Sequence, residues 1–416
     1  MIVNDNIFFS KSSAKHFDWV LFILTVGIIG IGLISLYSAT YDSNMSSFFY
    51  KQLVSTGIGL SLMIAIIYIP ESWIKFNSLV VYGISILLLI IVAIFGVEIN
   101  GTKGWLRFGG FSLQPAEFAK IGVLLATAFV MSKKGFDIHT WRDLATILLI
   151  SAVPALIIMK QPDFGTATVI FAMLYGILLW SGFNSFILFS IISIPFLILF
   201  SFKGDIWFYS LATVLSLVLF AFRKNLVLTF VLILIFYSIN FISDNVYEHL
   251  SPHQQLRIQT FVAPEANPLG AGYNVIQSVM AVGSGGLTGK GFLQGTQTQL
   301  RYIPMQWTDF IFSVPTEEFG FIGGVLVIIL LFSIIWRIVQ IASIIHDVFH
   351  SIVCIGAASI LFYHSFINIG MAIGIMPVMG IPLPFMSYGG TFIISNLILI
   401  GLIMNVYRTY FIKRSI

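Results

Sequence analysis

Charge is scarce in this chain: Asp, Glu, Lys and Arg make up 9% of its 416 residues, where a soluble domain usually carries about 25%. That shortage excludes an ordinary water-soluble globule. Cysteine is nearly absent as well. The single Cys354 excludes an internal disulfide and any Cys-rich metal site. It sits in an apolar run and reads as a small buried apolar residue. Strong net charge is missing too. A formal +4 is too small to suggest a nucleic-acid partner and fits the basic loop ends of a membrane protein. The N-terminal stretch MIVNDNIFFSKSSAKHFD has no short apolar core followed by a cleavage site, so the first span is expected to serve as an uncleaved signal. No repeat of 20–50 residues is visible.

What is present is apolar sequence. Hydrophobic residues make up 58% of the chain and the mean hydropathy is +0.98. Apolar runs long enough to cross a bilayer, roughly 20 residues each, fall near 19–40, 53–70, 78–97, 115–132, 143–160, 165–181, 184–202, 206–221, 225–242, 319–337, 350–372 and 391–411. The expected fold is an all-α, polytopic transmembrane helical bundle of about 10–12 spans. It forms one membrane domain over residues 1–416, interrupted by one long hydrophilic stretch at 243–307.

Lys and Arg set the orientation. With the N-terminus inside, the inner ends hold Lys11, Lys15, Lys75, Lys133, Lys134, Arg142, Arg223, Lys224, Arg337, Arg408, Lys413 and Arg414. The short outer loops hold Lys51, Lys103, Arg107, Lys160 and Lys203. Twelve against five supports both termini inside. The 243–307 loop then faces outward, with the loops at 98–114 and 373–390.

Five constellations carry polar chemistry. The first runs from Asn100 to Lys120 and holds Trp105, Glu117 and Lys120. Glu117 and Lys120, three apart, share one helix face. Intramembrane charges pair or line polar cavities, so the two either pin helix packing or contact a charged substrate. Trp105 could equally be an interfacial anchor. The second, Lys160-Gln-Pro-Asp163-Phe-Gly-Thr166, marks a turn. Asp163 could cap the next helix, and Lys160 could receive a phosphate oxygen. The third is the outer loop, with Arg257, Lys290 and Arg301 as candidate pyrophosphate ligands and eight glycines between 270 and 295. Those glycines imply tight turns and close backbone approach, and 271–282 suits an amphipathic or re-entrant helix. The fourth places Asp309, Glu317 and Glu318 at the start of an apolar run. The fifth is the proline- and glycine-broken stretch from Met376 to Gly390, with Ser387. Irregular backbone at membrane depth is tolerated only inside protein or along a cavity.

Taken together, Q114-P-A-E-F-A-K120, P162-D-F-G-T166, G270-A-G-Y273, G283-S-G-G-L-T-G-K-G291, T308-D-F-I-F312, E317-E-F-G320 and G380-I-P-L-P-F-M-S-Y-G-G390 resemble the SEDS family, which comprises RodA, FtsW and the sporulation homologue. The glycine-rich segment and the following G-T-Q are similar to the RodA branch. The resemblance covers nearly the whole chain. It implies a peptidoglycan glycosyltransferase of the inner (cytoplasmic) membrane that polymerises lipid II, an undecaprenyl-pyrophosphate-linked disaccharide-pentapeptide, during cell elongation. The implied partners are a class B penicillin-binding protein and the elongation machinery. The family usually has about ten spans, so 206–242 would be an extra helix pair.

One position departs from the family. Its proposed catalytic Asp precedes Pro in a D-P-x-G-x-G-Y pattern, and here that position is Asn267. A neutral amide cannot take the acceptor hydroxyl's proton. Asn267 could still orient the hydroxyl, and Glu265 is the nearest carboxylate in sequence. The expected substrate-binding set is Glu117, Lys120, Trp105, Asp163, Lys160, Arg257, Lys290, Asp309, Glu317 and Ser387. A divalent cation such as Mg or Mn could share the charge at the pyrophosphate, with no diagnostic ligand cluster. A flippase for lipid-linked precursors shows similar intramembrane charges and broken helices, and a non-catalytic scaffold is compatible with Asn267.

Overall fold

The structure, a computed structural model, describes residues 16–41, 45–99, 101–109, 111–222, 225–249, 252–263 and 272–415. Each expected span is a helix: α1 Trp19–Thr40, α2 Ser46–Ile67, α3 Glu71–Phe95, α4 Pro115–Met131, α5 Trp141–Met159, α6 Phe164–Trp180, α7 Ser185–Ser201, α8 Asp205–Ala221 and α9 Leu226–His249. Short helices follow: α10 Pro252–Val262, α11 Tyr273–Ser284, α12 Thr296–Gln299 and α13 Ser313–Glu318. The last three spans are α14 Gly320–Ile344, α15 Val348–Ala372 and α16 Gly390–Ser415. Eight of these helices are long and apolar enough to cross a membrane. Another three, α6, α7 and α8, are apolar but only 17 residues long, at the lower limit for a span. The chain is a multi-pass membrane protein.

The expected all-α bundle is present, with one minimal sheet added. The outer stretch 97–113 forms a small antiparallel sheet, β1 Val97–Ile99, β2 Thr102–Phe108 and β3 Phe111–Leu113, in the order β1-β2-β3. Gly101 and Gly109, at φ +79 and +60, turn the chain between its strands. The long loop is also shorter and more ordered than expected. Helix α9 carries on to His249, and much of the described remainder is helical. Hydropathy sees only the apolar part of a helix that leaves the membrane, so its polar end reads as loop. The amphipathic helix expected at 271–282 is present as α11.

Helices α15 and α16 form the centre. About three quarters of each spanning window is buried (72% and 78%), against 22–39% for the other long spans. Small residues allow the close packing. A Cβ on Gly356 would lie 2.2 Å from Leu124, and one on Gly401 would lie 2.9 Å from the carbonyl oxygen of Met63. Helices α7, α8 and α9 share a separate apolar cluster that includes Leu197, Phe208 and Phe236. They pack at the side of the main core.

Ion pairs tie the expected inner ends together. Asp18 caps α1 through the Leu21 amide (3.1 Å) and accepts from Arg337 Nε (2.9 Å). His350 lies 3.1 Å from Glu71 and 2.8 Å from Asp347, and Lys413 pairs with Glu71. These contacts gather the starts of α1, α3 and α15 and the ends of α14 and α16 on one side, as the charge count required.

The glycines of 283–291 approach backbone closely, as expected. The amides of Lys290 and Gly291 donate to the carbonyls of Glu317 and Glu318 (3.0 and 2.9 Å), and the amide of Phe321 donates to Gly286 (2.8 Å). Gly289 has φ +84, and a Cβ there would lie 2.1 Å from the Glu318 carbonyl oxygen. Gly289→Ala therefore combines left-handed strain, about 1–3 kcal/mol, with a backbone collision. A lower melting temperature in detergent than for Gly283→Ala, where the space is open, is the expected measurement.

Candidate active site

The site is built on the break between α15 and α16. The helix stops at Ala372, and Pro377, Pro382 and Pro384 prevent its resumption before Gly390. From Ile381 to Ser387 the irregular stretch is buried apart from half-buried Pro382, and side chains satisfy its backbone. Asn368 Nδ2 donates to the carbonyls of Ile381 (2.8 Å) and Asp309 (2.9 Å). Gln52 Nε2 donates to the Ser387 carbonyl (3.2 Å), and its Oε1 accepts from the Gly389 amide (3.0 Å). Ser387 Oγ donates to the Thr308 carbonyl (2.6 Å) and accepts from the Leu383 amide (2.8 Å).

Three successive carbonyls, of Trp307, Thr308 and Asp309, are thus held by the Tyr388 amide (2.8 Å), Ser387 and Asn368. They form a fixed shelf, and Asp309 is at its end. Its side chain is partly open but set deep in the protein. Burial pushes the Asp309 carboxyl up to about 6, against the pull of Arg257 and Thr308. Arg257, on α10, lies within electrostatic reach of both Asp309 and Asp163. These three expected residues therefore feel one another's charge, although they are far apart in sequence.

Asp163 has a second task. Its Oδ1 accepts from the Thr166 amide (3.0 Å), capping α6, and its Oδ2 accepts from Thr166 Oγ1 (2.9 Å) and Gln114 Nε2 (3.0 Å). The capping reading was correct, and Asp163 joins the entry of α4 to that of α6.

Deeper in the bundle, Lys120 Nζ lies 2.8 Å from Glu117 Oε2 and 3.0 Å from His364 Nε2. Ser395 Oγ donates to Glu117 Oε2 (3.0 Å). His364 Nδ1 lies 3.1 Å from the Pro382 carbonyl. A carbonyl oxygen can only accept, so Nδ1 carries the proton and Nε2 accepts from Lys120. Both members of the ion pair are 97% buried at their side chains. The pair is a tie between α4, α15 and α16, and this corrects the expectation of an open substrate contact at Glu117 and Lys120.

The expected roles of Lys290, Glu317 and Ser387 also need correction. Lys290 is not an open phosphate ligand. Its ammonium contacts Glu317, Ser284 Oγ and Thr296 Oγ1, each at 2.7 Å. Glu317 is fully buried and accepts from the amides of Gln297 and Thr298 (2.9 Å each), capping α12. Burial would raise its carboxyl, but Lys290 and the two amides outweigh burial and hold it below the usual range. Ser387 is buried and spends its hydroxyl on backbone. Lys160 is exposed at the end of α5, and Trp105 is half-buried in β2. Neither of these last two touches the Arg257–Asp309 group by any contact described above. Asn267 and Glu265 lie outside the described residues.

The sequence reading passed over His364, Asn368 and Gln52. A signal existed for the first two. They are four residues apart on one face of an apolar helix, and ionisable or amide groups in a span mark functional or cavity-lining positions. Among the described residues, no group of three His, Cys, Asp or Glu could hold a metal ion.

A family model described as "Cell cycle protein", spanning FtsW, RodA and SpoVE, matches residues 16–212 and 203–410. The peptidoglycan glycosyltransferase RodA of Treponema pallidum is 31% identical over 423 residues, covering 94% of this chain and 98% of the relative. Stage V sporulation protein E of Bacillus subtilis is 34% identical over 401 residues, covering 94% and 97%. Among solved structures, a chain of a peptidoglycan synthase complex that coordinates polymerisation and crosslinking superposes with a TM-score of 0.71 at 30% identity, covering 94% of this chain and 98% of the other.

The buried tie makes a clear energetic prediction. Removing one partner leaves an uncompensated charge inside the protein, at a cost of about 3–5 kcal/mol. Lys120→Met and Glu117→Gln should each lower the melting temperature in detergent sharply. The double variant should recover most of the loss, because no charge is then stranded.

Proposed function

The chain belongs to the FtsW/RodA/SpoVE family of cell-cycle proteins, and on that footing we propose how its site acts as a peptidoglycan glycosyltransferase of the RodA type. The substrate is lipid II, presented at the outer end of the bundle. The observation that carries this reading is the electrostatic coupling of Arg257 on α10 to Asp163 and to Asp309, whose backbone carbonyl is fixed by Asn368.

Arg257 has five N–H donors. It can hold the carboxylates beside it and still offer donors to a pyrophosphate oxygen. Charge develops on that oxygen as the sugar's anomeric carbon leaves it, so a fixed cation there favours the transition state over the ground state. The Pro/Gly-broken segment 373–389 supplies a wall that needs no movement to form. A divalent cation remains a proposal as a companion of the substrate's pyrophosphate. The described residues offer no cage for one, and no step here depends on it.

Polar chemistry at one end supports polymerisation over transport. The inner end is laced by Asp18–Arg337, Glu71–His350 and Glu71–Lys413. A class B penicillin-binding protein and the elongation machinery are proposed as partners. The synthase complex that the chain resembles supports the first of these.

Purified protein, with its crosslinking partner, should convert lipid II into glycan strands that a muramidase digests. Arg257→Ala should lower kcat about 10²-fold, the range for loss of one charge-stabilising donor, and Arg257→Lys should recover part of it. Failure of the wild type and of Asn267→Asp to form strands, where a related polymerase succeeds in parallel, would sink the reading.

A further inference from the structure

Glycosyl transfer to a hydroxyl needs a group to receive the hydroxyl's proton. Asn267 cannot do this, because a neutral amide is not a base at neutral pH. The carboxylates lining the described site can be taken in turn. Glu117 is neutralised by Lys120 and buried between three helices. Glu317 is committed to Lys290 and to the first turn of α12. Glu318 is fully buried and accepts from Ser38 Oγ of α1 and from Gln299 Nε2 (3.2 Å). Asp163 uses both oxygens to cap α6 and to hold Gln114. Asp309 remains. Its backbone, unlike its side chain, is the part that is clamped.

We propose that Asp309 is the proton acceptor of the transfer reaction in this chain. The inference rests on the polymerase reading above. The acceptor hydroxyl oxygen forms a bond to the anomeric carbon of the pyrophosphate-linked sugar. The bond from that carbon to the pyrophosphate oxygen breaks, and its electron pair leaves with the pyrophosphate. The hydroxyl proton passes to an Asp309 carboxylate oxygen. Arg257 stands beside both the acid formed and the departing anion.

Three observations place Asp309 for this task. It is the last residue of the shelf whose carbonyls are fixed by Tyr388, Ser387 and Asn368, so its position is set before substrate arrives. Arg257, on helix α10, interacts with it electrostatically. Its side chain is partly open, so an incoming sugar can reach it. Burial also leaves this carboxyl titrating at about 6, which keeps it ionised at neutral pH yet basic enough to take a proton.

The test is lipid II polymerisation by the full chain with its partner, with the pH varied from 5 to 8. A base must be ionised to act, so kcat of the wild type should fall as pH drops through about 6, roughly tenfold per unit below it. Asp309→Asn should lower kcat about 10²–10⁴-fold, the span of general-base contributions, with KM changed less than about threefold. Asp309→Glu should keep part of the rate and shift the acid limb. Asn267→Asp placed in the Asp309→Asn chain should restore activity, which repair of a folding defect would not explain. A wild-type rate flat from pH 5 to 7.5, or Asp309→Asn working at the wild-type rate, overturns the proposal. Loss of the acid limb in Glu265→Gln while Asp309→Asn stays active also overturns it. If the wild type makes no strands at any pH, the failure lies in the polymerase reading.

Discussion

A lysine ammonium within the bundle must have partners inside the protein, because hydrocarbon offers none. Lys120 meets that demand with Glu117 on its own helix and His364 on α15. Ser395 of α16 adds a hydrogen bond to Glu117. Much of the site follows from this one tie. His364 can accept from Lys120 only if its proton is on the other nitrogen, and that nitrogen meets the Pro382 carbonyl. One turn along α15, Asn368 holds the carbonyls of Ile381 and Asp309. Polar contacts therefore lead from the buried lysine, through the backbone of Ile381 and Pro382, to the backbone carbonyl of Asp309. They fix the angle at which the broken segment 373–389 lies against the bundle.

Much of this was legible in the sequence. The helices at all twelve apolar runs follow from hydropathy, and the positive-inside count puts the right ends together, as Asp18–Arg337 and Glu71–Lys413 show. Gly285 and Gly289 were readable because only a residue without Cβ fits where backbone meets backbone. The small sheet was harder to see. Its strands have three, seven and three residues, too short for a period of two to declare itself beside 20-residue apolar runs. The roles of Lys290 and Glu317 were misread for a different reason. A sequence shows that two opposite charges exist in a loop and a helix start, 27 residues apart, but not that they spend their hydrogen bonds on each other. Arg257, Asp309 and Asp163 were each nominated separately, and only the fold brings them within electrostatic reach of one another.

The two halves of the outer site have different mechanical characters. The shelf at 307–309 belongs to the main core, held by α2, α15 and the start of α16. Arg257 stands on α10, an 11-residue helix reached through α9, whose apolar contacts belong to the separate α7–α9 cluster. A sugar polymer has to enter, react and move on by one unit. A fixed carboxylate facing an arginine carried by a separate layer suits that cycle better than one rigid cleft would.

Asp309 itself runs against stability. A carboxylate that burial drives toward its neutral form is less favourable in the folded chain than in water, and Arg257 only partly offsets that. Three clamps on three successive carbonyls form an unusual concentration of fixed backbone around one unfavourable side chain. A purely structural role would be served better by Asn, which forms hydrogen bonds without a buried charge. Local rules are broken where function requires it and compensated nearby. The shelf has the form of such compensation: it holds in place a group that the fold alone would not favour.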